Sequence, residues 1–125
     1  MKKYTDKHEW VEIDDDVAII GISEHAAEEL GDITYVELPE LQIEIEKDFP
    51  FAVIESVKAA TDVFSPVNGT IVDVNKELEL TPELINQSAE DAGWICTVTE
   101  FSEHDLEDLM SEDEYKTYLQ ENEDN

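Results

Sequence analysis

Lys58 is the residue whose type and position best suit a chemical role. It lies in Ile54-Glu55-Ser56-Val57-Lys58-Ala59-Ala60-Thr61-Asp62, where two strand-like runs meet, so we expect it at the tip of a hairpin. A free lysine amine is protonated at neutral pH and is a poor nucleophile unless it is buried or activated, and an exposed tip does neither. A functional Lys58 would therefore be a residue to which an enzyme attaches a group. The alternative is a surface lysine that interrupts an apolar hairpin.

Other arrangements of residues that carry chemistry are missing from the sequence. The four glycines are scattered singly, so there is no phosphate-binding loop, and no Ser, Cys or Thr stands in an activating motif. Cys96 lies in an apolar run, which favours a buried strand position, and a single cysteine is typical of a reducing compartment. The three histidines, His8, His25 and His104, have no ligand spacing, so no metal site is expected.

The charge balance argues against two classes of partner. The chain has 34 acidic and 7 basic residues, a formal net charge of −27, and all of the basic residues are lysines. Nucleic acids and anionic membranes require cationic contacts, so we expect neither as a partner. Residues 100–125 contain eleven carboxylates and one lysine. Such a run is typical of a solvated helix face; the alternatives are a steering surface for a cationic partner, a halophilic origin or surface redesign.

The hydropathy pattern predicts no membrane span and no export signal. No apolar run approaches the length of a transmembrane helix, and the basic residues Lys2 and Lys3 are not followed by the apolar core of a signal peptide. We expect a cytoplasmic protein of bacterial type, with a mature mitochondrial form as the alternative. The length of 125 residues and the lack of a low-complexity linker predict a single domain over residues 1–125.

The elements that must position Lys58 are predicted mainly as short strands. Apolar patterns and turn signals predict strands over 9–13, 17–22, 33–38, 43–46, 51–57, 61–64, 70–74 and 94–99. Ser23 and Gly31 bound a predicted helix over 24–30, and Thr81-Pro82 opens another over 82–87. Asn68-Gly69 is a strong hairpin signal before the strand that begins at residue 70. Many short strands with intervening turns predict an antiparallel sandwich or barrel over about residues 4–100.

The end of the chain is predicted to be helical and to pack on the outside of the sandwich. The acidic helical segment is expected over 102–120, and the tail 121–125 is expected to fray. Ser102 can cap a first helix, and Ser111 to Glu114 form a capping box for a second. The apolar residues on the inner faces of these helices are Leu106, Leu109, Met110, Tyr115, Tyr118 and Leu119.

The order of motifs along the chain resembles the H protein of the glycine cleavage system. The matching segments run from about residue 4 to 119 and include His8-Glu9-Trp10-Val11, Glu55-Ser56-Val57-Lys58-Ala59 and Pro82-Glu83-Leu84-Ile85-Asn86. The resemblance implies a barrel-sandwich hybrid of the lipoyl-domain type with C-terminal helices.

Some residues depart from the family pattern. Glycines of the family are replaced by Gln42, Asp48 and Ala52, and its usual Pro-Tyr pair is Ala89-Glu90, so the loops near 42–48 and 88–93 are expected to differ in shape.

The resemblance further implies a carrier rather than an enzyme, with lipoate joined by an amide to Lys58. The flanking motif residues are Glu55, Ser56, Val57 and Ala59. The lipoyl arm would take the aminomethyl group of glycine from a pyridoxal-phosphate decarboxylase and pass it to a tetrahydrofolate-dependent aminomethyltransferase. Dihydrolipoyl dehydrogenase would then reoxidise the arm. A lipoylating ligase or transferase is a further implied partner, and a monomer is expected.

Three carboxylates are implied by the same resemblance to line a cleft for the loaded arm. They are Glu9, Asp62 and Glu29. The alternative for each is an ordinary exposed carboxylate, because the chain has 34 acidic residues. Trp10, on an alternating strand, is expected to be a core anchor.

Three other functions compete with the glycine cleavage carrier. A lipoate relay would use the same motif to donate lipoyl groups to 2-oxoacid dehydrogenases. A non-catalytic module would bind a basic partner through its acidic surface and leave Lys58 unmodified. A biotin carrier fits less well, because such carriers typically flank their lysine with methionines, whereas Val57 and Ala59 stand here.

Overall fold

Two antiparallel sheets form the body of the computed structural model, which describes residues 2–123. The strands are β1 (Lys2–Tyr4), β2 (Glu9–Asp14), β3 (Val17–Ile22), β4 (Ile33–Glu37), β5 (Glu44–Ile45), β6 (Pro50–Ser56), β7 (Ala60–Phe64), β8 (Gly69–Val74) and β9 (Cys96–Thr99). The larger sheet has the order β1-β2-β3-β9-β8-β5 and the smaller sheet has the order β4-β6-β7. The mainly β, antiparallel prediction is confirmed.

Helices lie between and after the strands. They are α1 (Glu24–Leu30), α2 (Glu77–Leu80), α3 (Leu84–Ser88) and α4 (Glu112–Glu123), with a 3₁₀ turn at Glu103–Leu106. Ser23 caps α1 by accepting a hydrogen bond from the Ala26 N–H, and Gly31 follows the helix with a φ of 76°. Both were expected from the sequence, whereas β1 and α2 were not. None of the helices in the described part of the chain is long and apolar enough to cross a bilayer.

The main apolar core is built from residues of both sheets. Ile20 and Ile71 from the larger sheet and Ile54 from the smaller one are fully buried, as is Leu78 of the unpredicted α2. Cys96 lies in this core with no exposed surface, and burial raises the pKa of its thiol, so it is an inert packing residue as expected.

A second apolar cluster joins the N-terminal strands to the C-terminal helix. It contains Tyr4, Trp10 and Tyr115, and the Tyr4 and Tyr115 rings stack with centroids 4.4 Å apart. Trp10 is 1% exposed and donates from Nε1 to the Ala89 carbonyl at 3.1 Å, which confirms it as a core anchor. A Cβ on Gly21 would lie 2.7 Å from that Nε1 atom, so β3 has room for the indole only because this residue is glycine.

The hairpin prediction at Asn68-Gly69 is wrong. The strands on either side, β7 and β8, belong to different sheets, so this segment is a crossing between sheets. Asn68 instead anchors the crossing: its side chain accepts from the Lys47 N–H, and its main-chain N–H donates to Asp105. Gly69 permits a close approach between strands, because a Cβ there would lie 2.7 Å from the Thr99 carbonyl oxygen.

The C-terminal segment differs in part from its prediction. The Ser111 capping box is present: the Ser111 N–H donates to Glu114, and the Glu114 N–H donates to the Ser111 hydroxyl. Ser102, by contrast, caps only the short 3₁₀ turn. Helix α4 continues to Glu123, so part of the tail that was expected to fray is helical, and residues 124–125 lie outside the described residues.

Two loop residues adopt a backbone conformation that favours glycine. Gln42 has a φ of 66° and Asp48 a φ of 71°, and both stand where the resembling family has glycine. The Gln42 N–H donates to the Ile71 carbonyl at 2.7 Å, which ties this conformation to strand β8. A side chain in the left-handed region costs about 1 kcal/mol, so these positions store strain.

Replacing Gln42 by glycine should therefore stabilise the fold. We expect Gln42→Gly to raise the free energy of unfolding by about 0.5–1 kcal/mol, because relief of strain exceeds the added entropy of the unfolded chain. Chemical denaturation measures the change. Glu40→Gly is the matched control in the same loop, since Glu40 has no positive φ, and it should lower stability. An equal loss in both variants would contradict the strain at Gln42.

Candidate functional site

Lys58 lies in the turn that joins β6 to β7. The two strands pair antiparallel up to Glu55 opposite Ala60, which leaves residues 56–59 to reverse the chain. Lys58 is exposed, as are Val57 and Ala59 on either side of it. The expected placement at a hairpin tip is therefore confirmed.

Ser56 shapes this turn with its hydroxyl. The hydroxyl oxygen accepts from the Lys58 N–H at 3.1 Å and from the Ala59 N–H at 3.3 Å. The Ser56 N–H donates to the Ala59 carbonyl at 2.8 Å. A serine that bonds to the amides two and three residues ahead is a common way to fix a tight turn, so this motif residue holds the lysine backbone in place.

The amine of Lys58 is not committed to a carboxylate. Its Nζ donates to the main-chain carbonyl of Glu29 at 3.2 Å, and among residues 2–123 it forms no ion pair within 4.0 Å. Glu55, the nearest motif carboxylate in sequence, is exposed, and its main-chain carbonyl accepts from the Thr34 hydroxyl. An amine in this setting is open to an enzyme that modifies it.

Glu9 is buried rather than exposed. Only 4% of the residue is accessible, and its carboxylate accepts a 2.6 Å hydrogen bond from the Thr5 hydroxyl. Burial raises the pKa of Glu9, and hydrogen bonds from Thr5 and from the Phe64 main chain oppose that rise. Because Phe64 ends β7, this carboxylate connects the larger sheet to the strand that follows the lysine turn.

Asp62 and Glu29 occupy different settings. Asp62 is exposed on β7, an edge strand of the smaller sheet, and its carboxylate has no hydrogen bond or ion pair within the described chain. The Glu29 carboxylate lies 2.7 Å from His25 Nε2. The structure therefore brings Glu29 to Lys58 through its main chain, and places Asp62 on β7 two residues before Phe64.

His8 and Tyr115 lie beside Glu9, although neither was predicted as a site residue. His8 Nδ1 lies 2.7 Å from the Tyr115 hydroxyl, which also lies 2.7 Å from the Ser23 hydroxyl. Burial raises the pKa of Tyr115 to about 12, so the phenol stays protonated, while burial and the nearby His25 lower the pKa of His8. The Tyr115 hydroxyl thus shares hydrogen bonds with His8 and Ser23, and α4 holds the residue that precedes Glu9 at the start of β2. From the sequence, the only indication of this contact is that Tyr115 lies on the predicted inner face of the C-terminal helix.

The whole described chain matches one family. A family model described as glycine cleavage H-protein matches residues 2–122. The chain belongs to the glycine cleavage H-protein family. The resemblance drawn from the order of short motifs is confirmed.

Individual relatives agree with this assignment. The glycine cleavage system H protein of Thermotoga maritima is 51% identical over 118 residues, covering 94% of this chain and 95% of the relative. That of Halothermothrix orenii is 47% identical, covering 94% and 92%. A crystal structure of a glycine cleavage system H protein from Mycobacterium marinum superposes with a TM-score of 0.87 at 29% identity, covering 95% of this chain and 96% of that one. The expected lipoyl-domain-like barrel-sandwich fits this neighbour.

The buried Glu9 should give stability a characteristic pH dependence. Its pKa is raised above the ordinary value of about 4.5, so the folded protein holds the proton more tightly than the unfolded chain. The stability that Glu9 contributes is complete below that ordinary value and is lost as the pH rises through the folded pKa. We expect the unfolding free energy of the parent, relative to Glu9→Gln, to fall as the pH rises above about 4.5.

Glu114→Gln provides a control of opposite sign. Hydrogen bonds from the Ser111 main chain and hydroxyl lower the pKa of Glu114. The advantage of the parent over this variant should therefore grow as the pH rises through the same range. Urea denaturation at a series of pH values measures both differences. Parallel pH trends for the two variants would contradict the burial of the Glu9 carboxylate.

Proposed function

We propose that this H-protein-family chain is a lipoyl carrier of the glycine cleavage system and that lipoate is attached by an amide to Lys58. The arm carries the aminomethyl group of glycine from the pyridoxal-phosphate decarboxylase to the tetrahydrofolate-dependent aminomethyltransferase, and dihydrolipoyl dehydrogenase then reoxidises it. The observation that carries the proposal is the exposed Lys58 amine, which forms no ion pair among residues 2–123, at the tip of a hairpin fixed by Ser56. The lipoyl group supplies the sulfur chemistry, and the chain supplies position and access.

The residues around Lys58 fit such a group. A glycine, Gly31, faces the lysine stem: a Cβ there would lie 3.5 Å from Lys58 Cε. The side chains of Val57 and Ala59 are exposed, so an enzyme can reach the amine from the solvent side. Acylation removes the positive charge of Lys58. This breaks no ion pair, because Lys58 forms none within the described residues.

A carrier acted on by enzymes accounts for the site better than an enzyme does. The described residues near Lys58 include no nucleophile held by a base, and the cationic Lys58 is itself a weak nucleophile. The relatives are named as glycine cleavage system H proteins, which favours the glycine cleavage carrier over the lipoate relay. The lipoylating enzyme is a partner under either hypothesis, and a monomeric, cytoplasmic carrier remains our proposal.

Lys58→Arg tests the attachment point. Arginine keeps a long cation on the exposed tip but does not form the lipoyl amide, so we expect a folded protein with no lipoyl mass increment and background glycine cleavage in a reconstituted system. The readouts are intact mass after incubation with lipoate and a lipoate ligase, and release of carbon dioxide from glycine.

Lys76→Arg is the matched control, because Lys76 is also exposed but lies at the start of α2 outside the motif. It should acquire the increment as the parent does. Normal lipoylation and activity in Lys58→Arg would overturn the proposal.

We infer that strand β7 lines the path of the loaded arm. The strand runs from Ala60, beside the lysine turn, to Phe64, a span of about 13 Å at the usual rise per residue. Asp62 lies between them with an unpaired carboxylate, which suits the protonated amine of the cargo. Glu9 is buried and bonds to Thr5, with the Phe64 main chain near enough to oppose the rise in its pKa, so its part is to support the end of the strand. Asp62 is thus the better candidate for direct contact.

Asp62→Asn should shorten the lifetime of the glycine-loaded carrier. An exposed charge contact is worth up to about 1 kcal/mol, so we expect ammonia release without tetrahydrofolate to be about two- to fivefold faster. Glu9→Gln should act in the same direction through a looser β7. The carriers are loaded with glycine and decarboxylase, the enzyme is removed, and ammonia is followed with time.

Glu79→Gln is the control for charge alone, since Glu79 is exposed on α2 away from β7. It should match the parent, and all of the variants should still be lipoylated. Equal rates of ammonia release from the parent and from Asp62→Asn would show that Asp62 does not contact the loaded arm, and would leave the role of Lys58 intact.

A further inference from the structure

The side chain of Lys58 lies along the end of α1 instead of projecting freely from its turn. Its Nζ donates to the Glu29 carbonyl at 3.2 Å, and its Cε and Cδ would lie 3.5 and 3.9 Å from a Cβ placed on Gly31. The turn backbone is held by the same segment, because the Val57 N–H donates to the Asp32 carbonyl at 3.0 Å. Both the main chain and the side chain of the lysine turn therefore rest on residues 29–32.

Residues 29–32 have a shape that requires glycine. Gly31 has φ 76° and ψ −152°, a region that residues with a Cβ rarely adopt. A side chain there would also approach the Lys58 stem. At 3.5 Å from Lys58 Cε that approach would be an ordinary van der Waals contact, so it is the backbone of Gly31 that sets the conformation.

Asn86, on α3, fixes the backbone conformation of this segment with two side-chain hydrogen bonds. Its Nδ2 donates to the Gly31 carbonyl at 2.8 Å, and its Oδ1 accepts from the Ile33 N–H at 2.9 Å. The two bonds hold the main chain on both sides of Asp32, whose carbonyl receives the bond from the lysine turn. Asn86 thus acts on Lys58 only through the segment that it fixes.

The hydrogen bond from Lys58 to Glu29 can survive acylation. An ammonium group has three N–H donors, and the amide nitrogen that replaces it retains one. One donor is enough for the Glu29 carbonyl, which lies in the last turn of α1, where carbonyls lack partners within the helix. The loss of charge on acylation therefore does not require the loss of this contact.

We propose that residues 29–32 form a cradle for the root of the acylated Lys58 side chain. The Glu29 carbonyl accepts the amide N–H, the backbone conformation of Gly31 places the segment beside the stem, and Asn86 is the positioning residue. The proposal rests on the lipoylation of Lys58 proposed above. A held root leaves only the chain beyond the amide free to swing, which restricts the volume that the reactive end samples and lowers the entropy lost when it enters a partner.

The amide proton of the acylated lysine provides a direct test. The protein is labelled with ¹⁵N-lysine and lipoylated with lipoate ligase, so that acylated Lys58 gives the amide-type side-chain N–H signal. Its hydrogen-exchange rate is compared with that of a lipoylated peptide of residues 54–62. We expect exchange about three- to tenfold slower in the protein, as for one hydrogen bond of ordinary net strength.

Variants separate the cradle from general stability. Asn86→Ala should bring the exchange rate to that of the peptide, and Asn86→Asp, which keeps the acceptor for Ile33 but loses the donor to Gly31, should lie between. Asn75→Ala is the matched control, since Asn75 also makes two side-chain bonds to main-chain carbonyls, at Ala92 and Trp94. It should lower stability and leave the protection of the amide intact.

The outcomes distinguish the cradle from the carrier function. Glu29→Gln should leave the protection unchanged, because the acceptor is a main-chain carbonyl. Exchange in the parent as fast as in the peptide, or no effect of Asn86→Ala, would overturn the cradle while lipoylation stands. If no amide-type signal develops, Lys58 is not the attachment point, and both proposals fail together.

Discussion

The register of β6 against its two neighbours is the constraint on which the site depends. β6 is the central strand of the smaller sheet, and its buried residues Ala52 and Ile54 face the core. A slip of one residue would turn Ile54 to the solvent, so burial holds the register. With Glu55 opposite Ala60, the chain has four residues in which to turn, and Lys58 falls at the tip. The exposure of the lysine is thus a consequence of the packing of Ala52 and Ile54, which lie in the strand before the turn.

Strand β7 carries that constraint to the rest of the site. It pairs with β6 at one edge, and at its end the Phe64 main chain lies near the buried Glu9 of the larger sheet and opposes the rise in pKa that burial causes in that carboxyl. A buried carboxylate is costly unless it is hydrogen-bonded, so the Glu9 side chain depends on the Thr5 hydroxyl and on the Phe64 main chain beside it. Tyr115 of α4 contacts His8, the residue that directly precedes Glu9. The acidic C-terminal helix therefore fixes the position of His8 beside Glu9, in addition to covering the second apolar cluster.

Much of this could be predicted from the sequence because the signals are local. Alternating apolar residues identified most of the strands, the cap at Ser23 and the box at Ser111 identified helix starts, and small residues after Lys58 identified an open tip. Each signal involves residues within one turn or one strand, where geometry follows from neighbours in the chain. The order of short motifs then indicated the family. The asparagine-glycine pair at 68–69 gave a wrong hairpin prediction. Its local preference was overridden by the close approach of Gly69 to Thr99 and by the hydrogen bond from Asn68 to Asp105.

The sequence by itself determined the strand pattern, the helix caps, the family and the lysine at the hairpin tip. Only the tertiary structure decided how the strands divide between two sheets and what surrounds Lys58. Asn86 reaches Gly31 across 55 residues of chain, and Tyr115 reaches His8 across 107. No periodicity links such positions, because they meet only when the strands between them have packed. For the same reason Glu29 approaches Lys58 with its main-chain carbonyl, a group that every residue has and that no sequence pattern can distinguish.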